Sequence, residues 1–196
     1  MKDFRAGFKA GLPICLGYFS VSFGFGTLAI TQGFTILQAV LTSVSNLTSA
    51  GQFAGLTVIV ANAGLLEIIL TQLVINSRYA LMSLALGQRL GESVGIGRRL
   101  AVAFFNTDEV FALGMAQSKL TPAFFLGAGT VAAIGWTFGT AMGAVAGTLL
   151  PPSVQAALGI MLYGMFVAIV IPQVRQEKSM GICMVLALVF SCLFTW

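Results

Sequence analysis

The sequence predicts an all-α, polytopic helical membrane protein with about five to seven transmembrane helices, one or two of them interrupted or re-entrant. Three observations carry this. Of 196 residues, 58% are apolar and only 8% are charged, namely ten Lys and Arg and six Asp and Glu. The mean hydropathy is +0.97. A soluble domain runs nearer one quarter charged, so these side chains are too few to coat a water-facing globule. At about 20 apolar residues per span, this length holds six or seven helices and leaves little chain outside the bilayer. Residues 1–196 therefore read as a single transmembrane domain, and soluble-enzyme, disordered and nucleic-acid-binding classes are excluded.

Apolar runs occupy 11–30, 34–62, 64–87, 100–118, 122–149, 154–172 and 180–196. The first carries Pro13 in what the run suggests is its opening turn, where a missing N–H is harmless. The second is interrupted by the polar stretch Ser43–Gln52, and the third contains Glu67 and Arg78. The fourth is broken by Asn106–Glu109. The fifth opens on Pro122 and carries Gly127, Gly129, Gly135, Gly139, Gly143 and Gly147, which give small-xxx-small spacing and let helix backbones approach closely in lipid. Pro151–Pro152 separates it from the sixth.

Lys and Arg fix an expected orientation. They cluster before residue 10 (Lys2, Arg5, Lys9), at 88–99 (Arg89, Arg98, Arg99) and at 173–179 (Arg175, Lys178), whereas 31–33 and 150–153 carry none. The positive-inside bias places the three basic clusters, and so the N-terminus, in the cytoplasm. Three apolar runs lie between consecutive basic clusters, yet an even number of crossings is required. One run in each group should enter and return on the same side, and 34–62 and 100–118, with their polar breaks, are the candidates. Non-helical backbone is tolerated at that depth only where protein or a water-filled cavity surrounds it, and it points to a transporter's binding site. The basic start Met1–Lys9 lacks a convincing cleavage site, so no signal peptide is expected.

Small counts narrow the chemistry. With no histidine, Ser-His-Asp triads, HExxH zinc sites and imidazole-ligated haem are unavailable, and neither enzymatic activity nor a cofactor is expected. Cys15, Cys183 and Cys192 stand isolated in apolar runs and read as small hydrophobes. Gly24-x-Gly26 lacks the strand–helix context of a dinucleotide motif.

Charge inside a span is expensive and therefore a functional candidate. Arg78 lies 11 residues before Arg89, about 16 Å along a helix and so about half the hydrocarbon thickness. Glu67, Thr71 and Arg78 are spaced to share one inward face. Glu67 and Arg78 are too far apart to pair, so the expected partner of Arg78 is Asp108 or Glu109. These two carboxylates point about 100° apart on a helix, so one can meet Arg78 while the other faces a cavity. Burial and a nearby cation act on a carboxyl group in opposite senses, which lets such a site take up and release a proton. The plain alternatives are a fixed ion pair and, for Glu67, an interfacial carboxylate in water. In the second run, Ser45, Asn46, Ser49, Gly51 and Gln52 supply hydroxyls, amides and, where unwound, backbone groups able to hold a carboxylate. Tyr18 and Tyr79 add an aromatic lining, and serines and threonines on a packed helix face are the alternative.

At these residues the chain resembles the AzlC family of branched-chain amino acid transport proteins. The matching stretches are Leu16-Gly17-Tyr18, Phe23-Gly24-Phe25-Gly26, Ala50-Gly51-Gln52-Phe53, Asn76-Ser77-Arg78-Tyr79, Thr107-Asp108-Glu109-Val110-Phe111 and Tyr163-Gly164-Met165-Phe166 up to Pro172. The resemblance implies a bacterial inner-membrane permease component exporting leucine, isoleucine or valine on the proton gradient, with a small AzlD-type membrane subunit as partner. Family members usually run longer, so a shortened C-terminus is expected. The combined expectation is a proton-coupled secondary transporter of hydrophobic amino acids. Ser45, Asn46, Ser49, Gly51, Gln52, Asn76, Arg78 and Tyr18 would hold the substrate, and Asp108, Glu109 and Glu67 would couple the proton. The rival is a non-transporting membrane subunit whose polar groups bind a partner.

Overall fold

The computed structural model describes residues 1–91, 93–147, 149, 151, 153–154, 171, 174 and 178–195. The sixth apolar run, the Tyr163–Phe166 stretch, Pro152, Pro172 and Arg175 lie outside the described residues, apart from scattered positions of that run. Every described element is helical: α1 (Lys2–Thr31), α2 (Ile36–Ser45), α3 (Ala50–Val60), α4 (Leu65–Asn76), α5 (Arg78–Leu90), α6 (Ile96–Phe104), α7 (Asp108–Met115), α8 (Pro122–Gly147) and α9 (Lys178–Thr195). Two units are distinguished, Met1–Gly159 and Ile160–Trp196. The first holds α1 to α8; of the second, α9 is an apolar helix with Ile182, Val185, Leu188 and Phe190 exposed.

Helices α1 and α8 are each long and apolar enough to cross a membrane. They lie against each other along their lengths, and glycine makes this approach possible. A Cβ on Gly135, Gly139 or Gly143 would run into the α1 carbonyls of Cys15, Phe19 and Phe23, and one on Gly26 would meet the Thr140 carbonyl of α8. The Thr27 hydroxyl donates to the Gly143 carbonyl at 3.1 Å, a polar bond between helices with no water to compete for it. The small-residue spacing read from the sequence is thus a backbone-to-backbone seam. One expectation is corrected. Helix α1 begins at Lys2, so Pro13 lies well inside it and not in its first turn. Lys2, Arg5 and Lys9 are good helix formers, and extend the helix beyond its apolar part.

In the first unit the other helices, α2 to α7, are short because they are broken. The run 34–62 is two helices, α2 and α3, parted at Asn46–Ser49, and Phe105–Thr107, with the polar pair Asn106 and Thr107, separates α6 from α7. Both breaks fall within or beside the interruptions read from the sequence. Between α2 and α3, Ser49 takes φ 50° and ψ −94°, a backbone state L-residues rarely adopt, costing on the order of 1–3 kcal/mol. A third break was not expected. The run 64–87 bends by 46° between α4 and α5. There the ladder shifts from i−4 to i−3 bonding, with Ser77 N donating to Val74 O at 3.3 Å and Ala80 N to Ser77 O at 3.0 Å. The Ser77 hydroxyl bonds back to the Val74 carbonyl at 2.9 Å, a known cause of helix bending.

Helix α4 buries no residue fully and exposes Leu65, Leu66, Leu70, Leu73 and Val74. Such a face is intolerable in water and natural in lipid.

Candidate functional site

The three breaks converge, and the polar side chains they release meet one another. Arg78 opens α5 and Asp108 opens α7, and the two form an ion pair through Nη1 and Oδ2. A cation at a helix N-terminus opposes the helix dipole, whereas a carboxylate there is favoured, so Asp108 compensates Arg78 locally. About a third of each side chain stays accessible (34% and 33%), so the pair is reachable and not sealed in the core. The Arg78 guanidinium carbon also lies 5.1 Å from the Tyr79 ring centre. Of the two adjacent carboxylates, Asp108 takes the arginine. Glu109 accepts the Tyr18 hydroxyl hydrogen instead of facing an open cavity.

From Tyr18 a buried network runs to the first break. The Tyr18 ring stands edge-on to Trp136 at 5.3 Å between centres. Trp136 Nε1 donates to Gln52 Oε1 at 2.8 Å, Gln52 Nε2 donates to Ser43 Oγ at 2.6 Å, and Ser43 shares a hydrogen with Thr140 at 2.7 Å. Gln52 is 1% exposed, so this satisfaction is what permits an amide there. A second set joins the first break to the bend. Asn76 Nδ2 donates to Gln72 Oε1 at 3.0 Å, and Gln72 Nε2 donates to the Gly51 carbonyl at 2.8 Å. At the break itself Thr48 Oγ1 donates to Asn46 Oδ1 at 2.6 Å. Asn106 Nδ2 reaches Ser83 Oγ at 3.3 Å.

What is left over is concentrated. Among the described residues, five buried side-chain polar atoms lack any partner: Ser49 Oγ, Asn76 Oδ1, Arg78 Nε, Asn106 Oδ1 and Thr107 Oγ1. Every one sits at a helix break. Leaving such a group unpaired costs about 1–3 kcal/mol, so the unused hydrogen-bonding capacity is concentrated at the breaks. Ser49 and Thr107 are the N-cap residues of α3 and α7, and neither hydroxyl caps its own helix. The first turn of α7 is occupied by Asp108 and Glu109, whereas that of α3 carries no acidic residue. Two cavities meet here. One, of 160 Å³, is lined by Asn46, Thr48, Tyr79, Ser83 and Asn106 among others. The other, of 210 Å³, is mainly apolar, lined by Phe25, Leu56, Ile59 and Ile68 with Gln52 and Gln72. Asn46 borders both.

Most of the residues singled out in the sequence come together: Tyr18, Asn46, Ser49, Gly51, Gln52, Asn76, Arg78, Asp108 and Glu109. Ser45 ends α2, lines the polar cavity and bonds back to the Leu41 carbonyl at 2.7 Å. Glu67 does not join them. It is exposed in the first turn of α4. Of the expected inward stripe Glu67, Thr71 and Arg78, only Arg78 reaches the site; on α4 it is Ile68, Gln72 and Asn76 that reach α3 or its cavity. Gln72, Ser83 and Trp136 were missed. The Gln72-x-x-x-Asn76 spacing, two amides one turn apart in an apolar run, was the available signal. Nothing marked Trp136, which meets Gln52 across 84 positions.

The description AzlC protein matches residues 13–150. The chain is 31% identical over 194 residues to the inner membrane protein YgaZ of Escherichia coli, covering 95% of this chain and 78% of that one. It is 32% identical over 174 residues to an uncharacterized membrane protein of Archaeoglobus fulgidus, covering 88% and 76%. With an uncharacterized membrane protein of Helicobacter pylori it shares 25% over 205 residues, covering 99% and 87%. No solved structure matches. A helical membrane chain with its breaks gathered on one polar site, matched over most of its length, belongs to the AzlC family.

Proposed function

We propose that the chain is a secondary transporter of branched-chain or other hydrophobic amino acids, working as a proton-coupled exporter in a bacterial inner membrane with its N-terminus in the cytoplasm. The observation that carries this is the gathering of five unpartnered buried polar atoms at three helix breaks, beside one polar and one apolar cavity. A zwitterion with an aliphatic side chain has the complementary chemistry. Its carboxylate is matched by Arg78 Nε and the Ser49 hydroxyl, near the N-terminus of α3. Its ammonium is matched by the amide oxygens of Asn76 and Asn106 and by Asp108. Its hydrocarbon part suits the cavity walled by Phe25, Leu56, Ile59 and Ile68. Ser45, Asn46, Gly51 and Gln52 shape the seat, while Tyr18 holds Glu109.

Proton coupling falls to Asp108 and Glu109. Asp108 pairs with a cation that a substrate carboxylate would compete for, so binding and release of the proton become linked. Glu67, exposed at the head of α4, would serve only as an outer relay. The partner expected from the family likeness is a small AzlD-type membrane subunit.

The test is flux of labelled leucine in proteoliposomes under an imposed pH gradient, with and without the small subunit. Gradient-driven flux is expected, and Asp108→Asn should abolish coupling while leaving the protein folded. Absence of flux in both preparations would favour a non-transporting subunit. Wild-type rates in Asp108→Asn would remove that residue from the coupling role.

A further inference from the structure

The cavities share walls. A third, of 180 Å³, is lined by Ser83, Leu86, Gly87, Leu90, Arg99 and Ala103 among others. It shares Ser83 and Ala103 with the polar cavity, which in turn shares Asn46 with the apolar one. They form a file: Arg99 and Leu90 at one end, the polar centre, then Ile59 and Ile68 at the other.

One helix pair lines all of it. Ile68 and Gln72 of α4 border the apolar cavity, Tyr79 and Ser83 of α5 the polar one, and Ser83, Leu86 and Leu90 the third. These positions follow one another by three, four or seven residues, which places them on one helical face. From Ile68 to Leu90 the helix path is about 33 Å, close to the hydrocarbon thickness of about 30 Å. The 46° bend sits between the apolar and polar cavities.

We infer that this file is the aqueous route by which solute crosses the membrane, with its narrow points at Asn46 and at Ser83 with Ala103. What travels along it rests on the transport reading above; the existence of the route does not. Ser83 and Asn106 bond across the narrow point between α5 and the α6–α7 break, and Asn46 parts the polar seat from the apolar cavity. A polar centre flanked by less polar stretches lets a solute enter, bind and leave.

The test uses the full chain with Cys15, Cys183 and Cys192 replaced by serine, in proteoliposomes. Single substitutions Ile68→Cys, Ser83→Cys and Ala103→Cys probe the file. Gly87→Cys is added because a Cβ there meets nothing closer than an Arg99 nitrogen at 3.5 Å, so that variant should fold. Leu81→Cys and Leu84→Cys, 73% and 63% exposed away from that face of α5, are the controls. With a charged, membrane-impermeant thiosulfonate, the file cysteines are expected to react about tenfold or more faster than the controls, since water access governs thiolate reactivity. Adducts at Ser83→Cys or Ala103→Cys are expected to block leucine flux. File cysteines no more reactive than the controls would overturn the route, even in a protein that transports leucine. Reactive file cysteines in a protein without leucine flux would leave the route standing and remove the transport reading instead.

Discussion

Tyr18 binds Glu109 through its hydroxyl while its ring meets Trp136 edge-on, so one side chain ties the head of α7 to the α1–α8 seam. Tyr18→Phe keeps the ring and removes the donor. Hydrogen bonds to charged groups are worth about 1.5–3 kcal/mol. The substitution should lower stability by that amount, read by thermal unfolding in detergent, and slow gradient-driven flux. An unchanged midpoint would mean that Glu109 finds its partner elsewhere.

The Arg78–Asp108 pair lends itself to a double-mutant cycle. Removing one partner from a fully buried pair costs about 3–5 kcal/mol, and an exposed pair gives at most about 1 kcal/mol. With a third of each side chain accessible, a coupling of about 1–2 kcal/mol between Arg78→Gln and Asp108→Asn is expected from denaturant unfolding. Zero coupling would show that the pair does not hold the two breaks together.

Gln52→Leu should leave the Trp136 indole N–H buried and unpaired, at a cost of about 1–3 kcal/mol. Ser43→Ala removes the shared partner of Gln52 Nε2 and Thr140 Oγ1, both buried, and should cost more, although Gln52 keeps its bond to Trp136. Unfolding of the two single variants and the double one would rank them. Equal losses would mean that the network has no order.

Asn106 holds only a long bond to Ser83 and leaves its oxygen free. Asn106→Ala is therefore expected to raise KM for leucine by about tenfold with little change in stability, the sign of a lost ground-state contact. A loss of stability without a change in KM would mark Asn106 as structural.

Gly143→Leu puts a side chain where the Phe23 carbonyl of α1 lies. Overpacking of a tight core costs about 1–3 kcal/mol and occasionally more, and backbone yields less than a side chain does. The variant should lose yield and unfold at lower temperature. Gly87→Ala, in ordinary contact, should keep its yield and unfolding temperature.

The pattern of success follows from what each feature depends on. The all-helical membrane class and the breaks at Asn46–Ser49 and Phe105–Thr107 were legible because polar residues interrupt apolar runs, a purely local contrast. The Arg78 partner was narrowed to two carboxylates because burial demands one. The bend at Ser77 was hidden, since Ser77 keeps helical dihedrals (φ −55°, ψ −34°) and only the bonding pattern slips. The Glu67 stripe pointed wrongly because charge was taken as the inward marker, whereas the neutral amides Gln72 and Asn76 face α3. The Gln52–Trp136 bond depends on how α3 meets α8, which no local pattern encodes.

The seam between α1 and α8 has a bearing on movement. Carbonyls of one helix rest where side chains of the other would begin, so sliding or twisting either would drive main chain into main chain. That couple is a fixed post. If the molecule exposes its polar centre first to one side of the membrane and then to the other, the swing must be made by the half-helices around it, hinged at Ser49, Ser77 and Thr107.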